Sequence, residues 1–102
     1  MITVTDLTVL GRSLAVDTDH LLTRLQDGAA LLIHLAPPAD YPYESHKVEE
    51  RIVCIQGKLN LETEAGACHA LLAGQMALIP PGLRHRFAAD SDGVILTLFG
   101  GA

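Results

Sequence analysis

The chain has 102 residues, enough for one domain with its own core, and we expect residues 1–102 to form a single domain. Its formal net charge is −5 and its 7 lysines and arginines are scattered, which argues against nucleic acid and anionic membranes as partners. No apolar run approaches the ~20 residues of a membrane span, and the first residues lack the pattern of a signal peptide. Cys54 and Cys68 form no CxxC pair. We therefore expect a cytoplasmic protein with reduced thiols.

The first 27 residues carry the weakest structural signals. Asp17, Thr18 and Asp19 suit the cap of a short helical turn over residues 20–22, although an irregular edge strand fits the same segment. The apolar run over residues 29–36 is clearer, because Asp-Gly precedes it and two prolines follow it. This pattern is typical of a buried strand. A loop over residues 37–45 follows the strand.

The remaining chain alternates short apolar runs with turn residues. A hairpin is predicted over residues 51–62, with Gly57 near its turn. Further strands are predicted over residues 68–72, 75–79, 85–88 and 94–99, and helical periodicity is nearly absent. Many short strands at regular spacing predict an all-β barrel or sandwich.

Two short motifs combine these turn residues with histidines and glutamates. Imidazole and carboxylate are the usual ligands of a divalent metal. Because turns fold consecutive strands back on each other, ligands that are distant in sequence come together. The first motif contains Glu44, His46, Glu50 and Gly57, and the second contains Gly74, Pro80, Gly82 and His85.

The two motifs, over residues of about 38–57 and 74–89, resemble the two signature motifs of the cupin superfamily. Seven of the ten fixed positions agree, and the departures are Pro38, Glu44 and Ala89 in place of glycine, histidine and asparagine. The resemblance implies a small single-domain cupin, that is, an antiparallel β-barrel or double-stranded β-helix (jelly roll). The matching residues are His46, Glu50, Gly57, Gly74, Pro80, Gly82 and His85.

The resemblance also implies one divalent metal ion, either Fe, Mn, Ni or Zn, held by His46, Glu50 and His85. Two histidines and one carboxylate with open positions suit non-haem Fe(II) and O2 chemistry. Glu44 takes the place of the family's fourth ligand. If Glu44 binds the metal, we expect the site to prefer harder ions such as Mn(II) or Fe(II). Two other roles for Glu44 stay open, a general base beside an open metal position and a simple surface carboxylate.

Each candidate ligand has a plainer interpretation when it is taken alone. His46 fits an exposed loop, Glu50 belongs to a charged run, and His85 lies between two arginines, which would point outward if His85 points inward. The joint spacing with glycine and proline favours the metal site. Another histidine, His34, either lines the pocket or makes a hydrogen bond at a sheet or dimer face.

The fold does not fix the function. Our first hypothesis is a metal-dependent enzyme, dioxygenase-like or an isomerase, that acts on a small oxygen-rich molecule. The alternative is a non-enzymatic ligand-binding or sensory module whose metal is structural, regulatory or absent. A homodimer is expected, because the apolar stretches over residues 29–35 and 94–99 exceed what a barrel of this size can bury alone.

Overall fold

The computed structural model describes residues 1–100, which form a helix and seven strands. These strands confirm the predicted all-β jelly roll. Apart from β1, for which no range was predicted, and the predicted hairpin, their ends differ from the sequence-based ranges by at most two residues. Within the described residues, no helix is long and apolar enough to cross a membrane. In chain order the elements are α1 (Leu7–Ser13), β1 (His20–Leu25), β2 (Gly28–Leu35), β3 (Glu50–Thr63), β4 (Cys68–Leu72), β5 (Met76–Ile79), β6 (His85–Phe87) and β7 (Asp92–Gly100).

The long strand β3 organises the sheet. Its first half lies between β5 and β7, and its second half pairs with β4 and β6. The strands β2 and β1 extend the sheet beyond β7, and these pairings are antiparallel. The path runs β1-β2-β7-β3-β4, so the sheet curls around a core without closing its hydrogen-bond ladder into a full barrel.

Gly57 is not a hairpin turn, and the hairpin predicted over residues 51–62 is wrong. The chain continues through Gly57 as a single strand, with a φ of 86° at that residue. A register shift against β7 lies just before it, between Cys54 and Gln56. A Cβ on Gly57 would clash with the carbonyl oxygen of Asp92. The glycine therefore allows a bend and a close approach of two strands, where the sequence suggested a chain reversal.

The helix α1 was not predicted. Of the two alternatives for the segment that follows it, the structure shows the irregular edge strand, because His20 begins β1, and the helical turn over residues 20–22 is absent. Asp6 caps α1, its Oδ1 accepting a hydrogen bond of 3.0 Å from the amide of Val9. At Gly11 the helix lies so close to Val94 of β7 that a Cβ would clash with it. The helix therefore covers part of the outer face of β2 and β7.

Strand alternation directs one row of each strand into the core. The two apolar stretches expected to need a dimer are largely buried by the chain itself: Leu32, Leu35 and Val94 have 0% exposure. The core cluster consists of Ile33, Leu35, Ile52, Cys54, Leu59, Leu61, Leu71, Ile79 and Ile95.

Candidate metal centre

Three separate segments bring His46, Glu50 and His85 together. His46 lies in the loop before β3, Glu50 begins β3, and His85 begins β6. One donor atom from each side chain lies within 4.8 Å of the other two. Glu50 and His85 are buried, with 3% and 7% exposure, whereas His46 is half-buried. The structure thus assembles the group that the motif spacing suggested.

Main-chain hydrogen bonds tie the two motifs to each other. The amide of Glu44 donates to the carbonyl of His85 and the amide of His85 donates to the carbonyl of Glu44, both at 2.9 Å. The amide of Gly82, in the Pro-Pro-Gly loop, donates to the carbonyl of His46, also at 2.9 Å. The backbone therefore fixes the relative positions of the two histidines independently of any bound ion.

His85 is oriented from both ring nitrogens. Its Nδ1–H donates to the carbonyl of Leu83 at 2.8 Å, which turns Nε2 toward the carboxylate of Glu50 at 2.9 Å. The Glu50 bond is the largest cause of a raised His85 pKa, and burial opposes it. Glu50 therefore stabilises the protonated form of His85. A backbone carbonyl on Nδ1 is the usual device for presenting Nε2 to a metal.

His46 completes the group from the more exposed side. Its Nε2 lies 3.6 Å from the Oε1 atom of Glu50 that His85 also contacts. Its ring packs edge-on against Phe99 at a centroid distance of 4.8 Å. Phe99 is the register partner of Glu50 across β3 and β7. The position of the imidazole is thus set by an apolar contact.

The donors fit a small divalent ion. Two ligands of one ion with bonds of about 2.0–2.2 Å lie about 3–3.5 Å apart. The distances of 2.9 Å and 3.6 Å to Glu50 Oε1 lie just below and just above this spacing, so small side-chain movements would bring both to it. A buried carboxylate between two imidazoles is also the donor chemistry that Fe, Mn, Ni and Zn accept. The group is therefore able to hold a metal ion.

Glu44 is placed differently from the other three residues. It is exposed and lines the cavity that opens beside these three residues, but it does not belong to the three-donor group formed by the described residues. Of the two arginines beside His85, Arg84 is exposed, as predicted, and pairs with Glu64. Arg86 pairs with Glu62 but is half-buried and lines the cavity, which differs from the prediction that it points outward.

His34 lies away from the cavity. Its Nδ1–H donates to the carbonyl of Leu14 at 3.1 Å, so the interpretation as a hydrogen-bonded sheet histidine is confirmed.

A cavity of about 160 Å³ opens beside the three donors. Sequence reasoning missed two of its polar residues, Asp19 and Thr97. Asp19 follows a segment with little structural signal. Thr97 was recognisable as the one hydroxyl within an apolar strand. The lining residues are Asp19, Leu31, Ile33, Tyr41, Pro42, Glu44, His46, Glu50, His85, Arg86, Phe87, Thr97 and Phe99.

The fold and the three donors define a class: small jelly-roll proteins with a candidate metal centre inside the sheet. The family model for the cupin domain matches residues 31–99 of this chain. Since that match covers more than half of the chain, the protein belongs to the cupin domain family. No curated protein matches the sequence at a significant level.

Solved structures agree with the fold. A protein from Neisseria meningitidis superposes with a TM-score of 0.77 at 16% identity, over 96% of this chain and 100% of that one. A cupin-2 domain protein from Shewanella frigidimarina gives 0.76 at 18% identity, over 88% and 86%. A cupin with a double-stranded β-helix from Methanocaldococcus jannaschii gives 0.73 at 13% identity, over 87% and 84%. At these identities the likeness shows the fold alone.

Proposed function

We propose that the protein binds one divalent metal ion at His46, Glu50 and His85 and acts on a small oxygen-rich molecule that binds at the ion. The observation that carries the proposal is the convergence of the three donor atoms within 4.8 Å in the wall of a cavity. Three protein donors leave coordination positions open for a substrate or water, which a catalytic site requires. The reaction that we propose is dioxygenase-like.

Each donor has a role set by its surroundings. Glu50 supplies the negative charge in a buried position, where a carboxylate interacts strongly with a cation. His85 is the oriented neutral donor, and His46 closes the group from the cavity side. When bound, the ion supplies Lewis-acid or O2-binding chemistry.

The position of Glu44 favours a catalytic site over a site that only binds a ligand. Its main chain is fixed against His85, and its exposed side chain lines the cavity beside the three donors. A carboxylate so placed suits a general base that takes a proton from a bound hydroxyl or water. We propose this role for Glu44, with direct metal ligation as the competing one.

Metal analysis and oxygen uptake test the proposal together. Protein purified without chelator or metal-binding tag should contain about one divalent ion per chain. The Fe(II)-loaded protein should consume O2 in the presence of a suitable oxygen-rich substrate, and the Zn(II)-loaded protein should not. Metal binding with ligand binding but without turnover in any metal form would instead favour the non-enzymatic module.

We also propose that the protein is a homodimer, with a surface that differs from the one the sequence suggested. Met76 and Leu78 of β5 are 57% and 55% exposed, and Val53, the register partner of Met76, lies on the same outer face. Arg51 lies between Leu78 and Leu98 on this largely apolar face. A second copy that covers this apolar face would remove it from water. Light scattering at micromolar concentration should give twice the chain mass, and Leu78→Lys should give the monomer.

A further inference from the structure

Thr97 carries a buried hydroxyl for which the described part of the chain offers no hydrogen-bond partner. The residue is 1% exposed, and its Oγ1 is fully buried. A buried hydroxyl without a partner destabilises a protein, because folding removes its hydrogen bonds to water and supplies none in return. Valine has nearly the same shape and would avoid that penalty. A hydroxyl at this position therefore points to a role that valine does not fulfil.

The position of Thr97 connects it to the candidate metal centre. It lies on the inward row of β7, two residues before Phe99, and Phe99 is the register partner of Glu50. Its own register partners are Ile52 of β3 and Leu31 of β2, which are apolar. Thr97 lines the same cavity as His46, Glu50 and His85. The cavity thus has a buried hydroxyl set between apolar side chains, separate from its three metal donors and from its other polar lining residues, Asp19, Tyr41, Glu44 and Arg86.

The cavity also limits the size of its occupant. A cavity of about 150 Å³ accommodates a molecule as large as benzene, and this one measures about 160 Å³. An occupant of about six to eight non-hydrogen atoms therefore spans it. Such a molecule is able to contact the metal donors at one end and the apolar wall along its length.

From these observations we infer that Thr97 is a specificity-determining residue that hydrogen-bonds a second oxygen of the molecule bound at the metal. The inference rests on the proposed function and specifies its ligand class. That class is a short-chain hydroxy acid with one further hydroxyl, in which the carboxylate and 2-hydroxyl face the ion and the distal hydroxyl reaches Thr97. A molecule without the distal oxygen leaves the Thr97 hydroxyl unpaired.

Two matched pairs of probes test the inference on the Zn(II)-loaded protein. Glycerate and lactate differ only in the 3-hydroxyl, and 2,4-dihydroxybutyrate and 2-hydroxybutyrate differ only in the 4-hydroxyl. By calorimetric titration, at least one dihydroxy acid should bind about three- to tenfold more tightly than its partner, the value of one hydrogen bond. Thr97→Val should remove this ratio without weakening lactate, and Thr97→Ser should keep it.

Two further readouts separate the possible failures. Without hydroxy acids, Thr97→Val should melt at the same temperature as wild type or higher, because it removes an unpaired polar group. A lower melting temperature, an unchanged binding ratio in Thr97→Val, or no binding of either dihydroxy acid would overturn the inference alone. Absence of metal binding, or lactate binding that survives EDTA, would overturn the proposed function and the inference with it.

Discussion

The two ends of the barrel interior are built from the same strands but have opposite chemistry. Along β3 the inward row runs from Glu50 to Ile52 and Cys54, and along β7 it runs from Ile95 to Thr97. One end of these rows belongs to the apolar core, and the other end holds buried polar groups beside the cavity of the candidate metal centre. Both ends are therefore positioned by the same backbone ladder.

The difference shows how a chain of this size carries a functional site. The apolar end supplies stability through buried surface, and the polar end holds a carboxylate, an imidazole and a hydroxyl that add little stability of their own. Because one backbone carries both, the polar end is held rigidly without its own core. Substitutions at the two ends should consequently separate metal binding from folding.

The largest effect is expected from His85→Ala at the polar end. Loss of one of three donors should weaken metal binding by more than about 100-fold, since the loss of mere outer-shell partners already weakens it by about 10–100-fold. His69→Ala is the matched control, because His69 is exposed and outside the donor group. Metal content by elemental analysis should fall to background only in His85→Ala. Equal metal content in both variants would disprove the site.

Ile52→Ala and Glu50→Gln test the contrast within a single strand. Ile52 is fully buried in the core, so its truncation should lower the free energy of unfolding by about 2–5 kcal/mol. Glu50→Gln keeps the shape and an acceptor for His85, so the change in stability should stay within about 1 kcal/mol while metal binding is lost. Urea unfolding and metal titration of both variants measure this separation. A similar loss of stability in both would mean that the two ends are not independent.

A smaller loss of stability is expected from a substitution at Gly57, where β3 and β7 approach each other closely. Gly57→Ala introduces a Cβ at a positive φ and against the Asp92 carbonyl, and it should lower stability by about 2–4 kcal/mol. Gly66→Ala has the same conformational strain in open space and should lower stability by only about 1 kcal/mol. Equal losses in urea unfolding would show that the close approach itself contributes nothing.

Glu44→Gln should act on chemistry more than on binding. Because Glu44 lies outside the three-donor group, metal affinity should change by less than about 10-fold, and activity or ligand proton transfer should fall. A large loss of metal would instead identify Glu44 as a ligand. If neither metal affinity nor ligand binding responds, Glu44 is a surface carboxylate.

The smallest effect is expected in the pH dependence of the stability of the metal-free protein. The His85 pKa is raised above its ordinary 6.5 by the Glu50 bond. A raised folded-state pKa gives a stabilisation that is complete below the unfolded value and is lost as pH rises through the folded value. With EDTA, urea unfolding should therefore show stability falling as pH rises above about 6.5. With Zn(II) the trend should reverse, because protons compete with the ion for Nε2.

Much of the fold and the donor group was predictable, because both depend on local patterns. Strand alternation and turn residues located most strands, and the motif spacing identified His46, Glu50 and His85. The function of Gly57 was not predictable, since a single glycine between two apolar runs marks a hairpin turn and a bend equally well. Only its partner across the sheet, Asp92, distinguishes the two.

The remaining errors arise where tertiary contacts override weak local preference. α1 contains Thr8, Val9 and Gly11, which are poor helix formers. It is nevertheless helical, with the Asp6 cap at its start and the contact with Val94 on its inner side. Thr97 stands out in the sequence as the one hydroxyl within an apolar strand, but its missing hydrogen-bond partner, on which its significance depends, is not visible in any sequence pattern.

The paired main-chain hydrogen bonds between residues 44 and 85 allow different side chains at position 44. The main-chain N–H and C=O of Glu44 both form hydrogen bonds with the main chain of His85. The side chain of Glu44 is exposed at the cavity, so the fold does not depend on it. Glutamate, glutamine or histidine can therefore occupy this position on an unchanged backbone. The same scaffold can present an oxygen, an amide or a nitrogen donor at the cavity wall, so a single substitution is enough to retune the site.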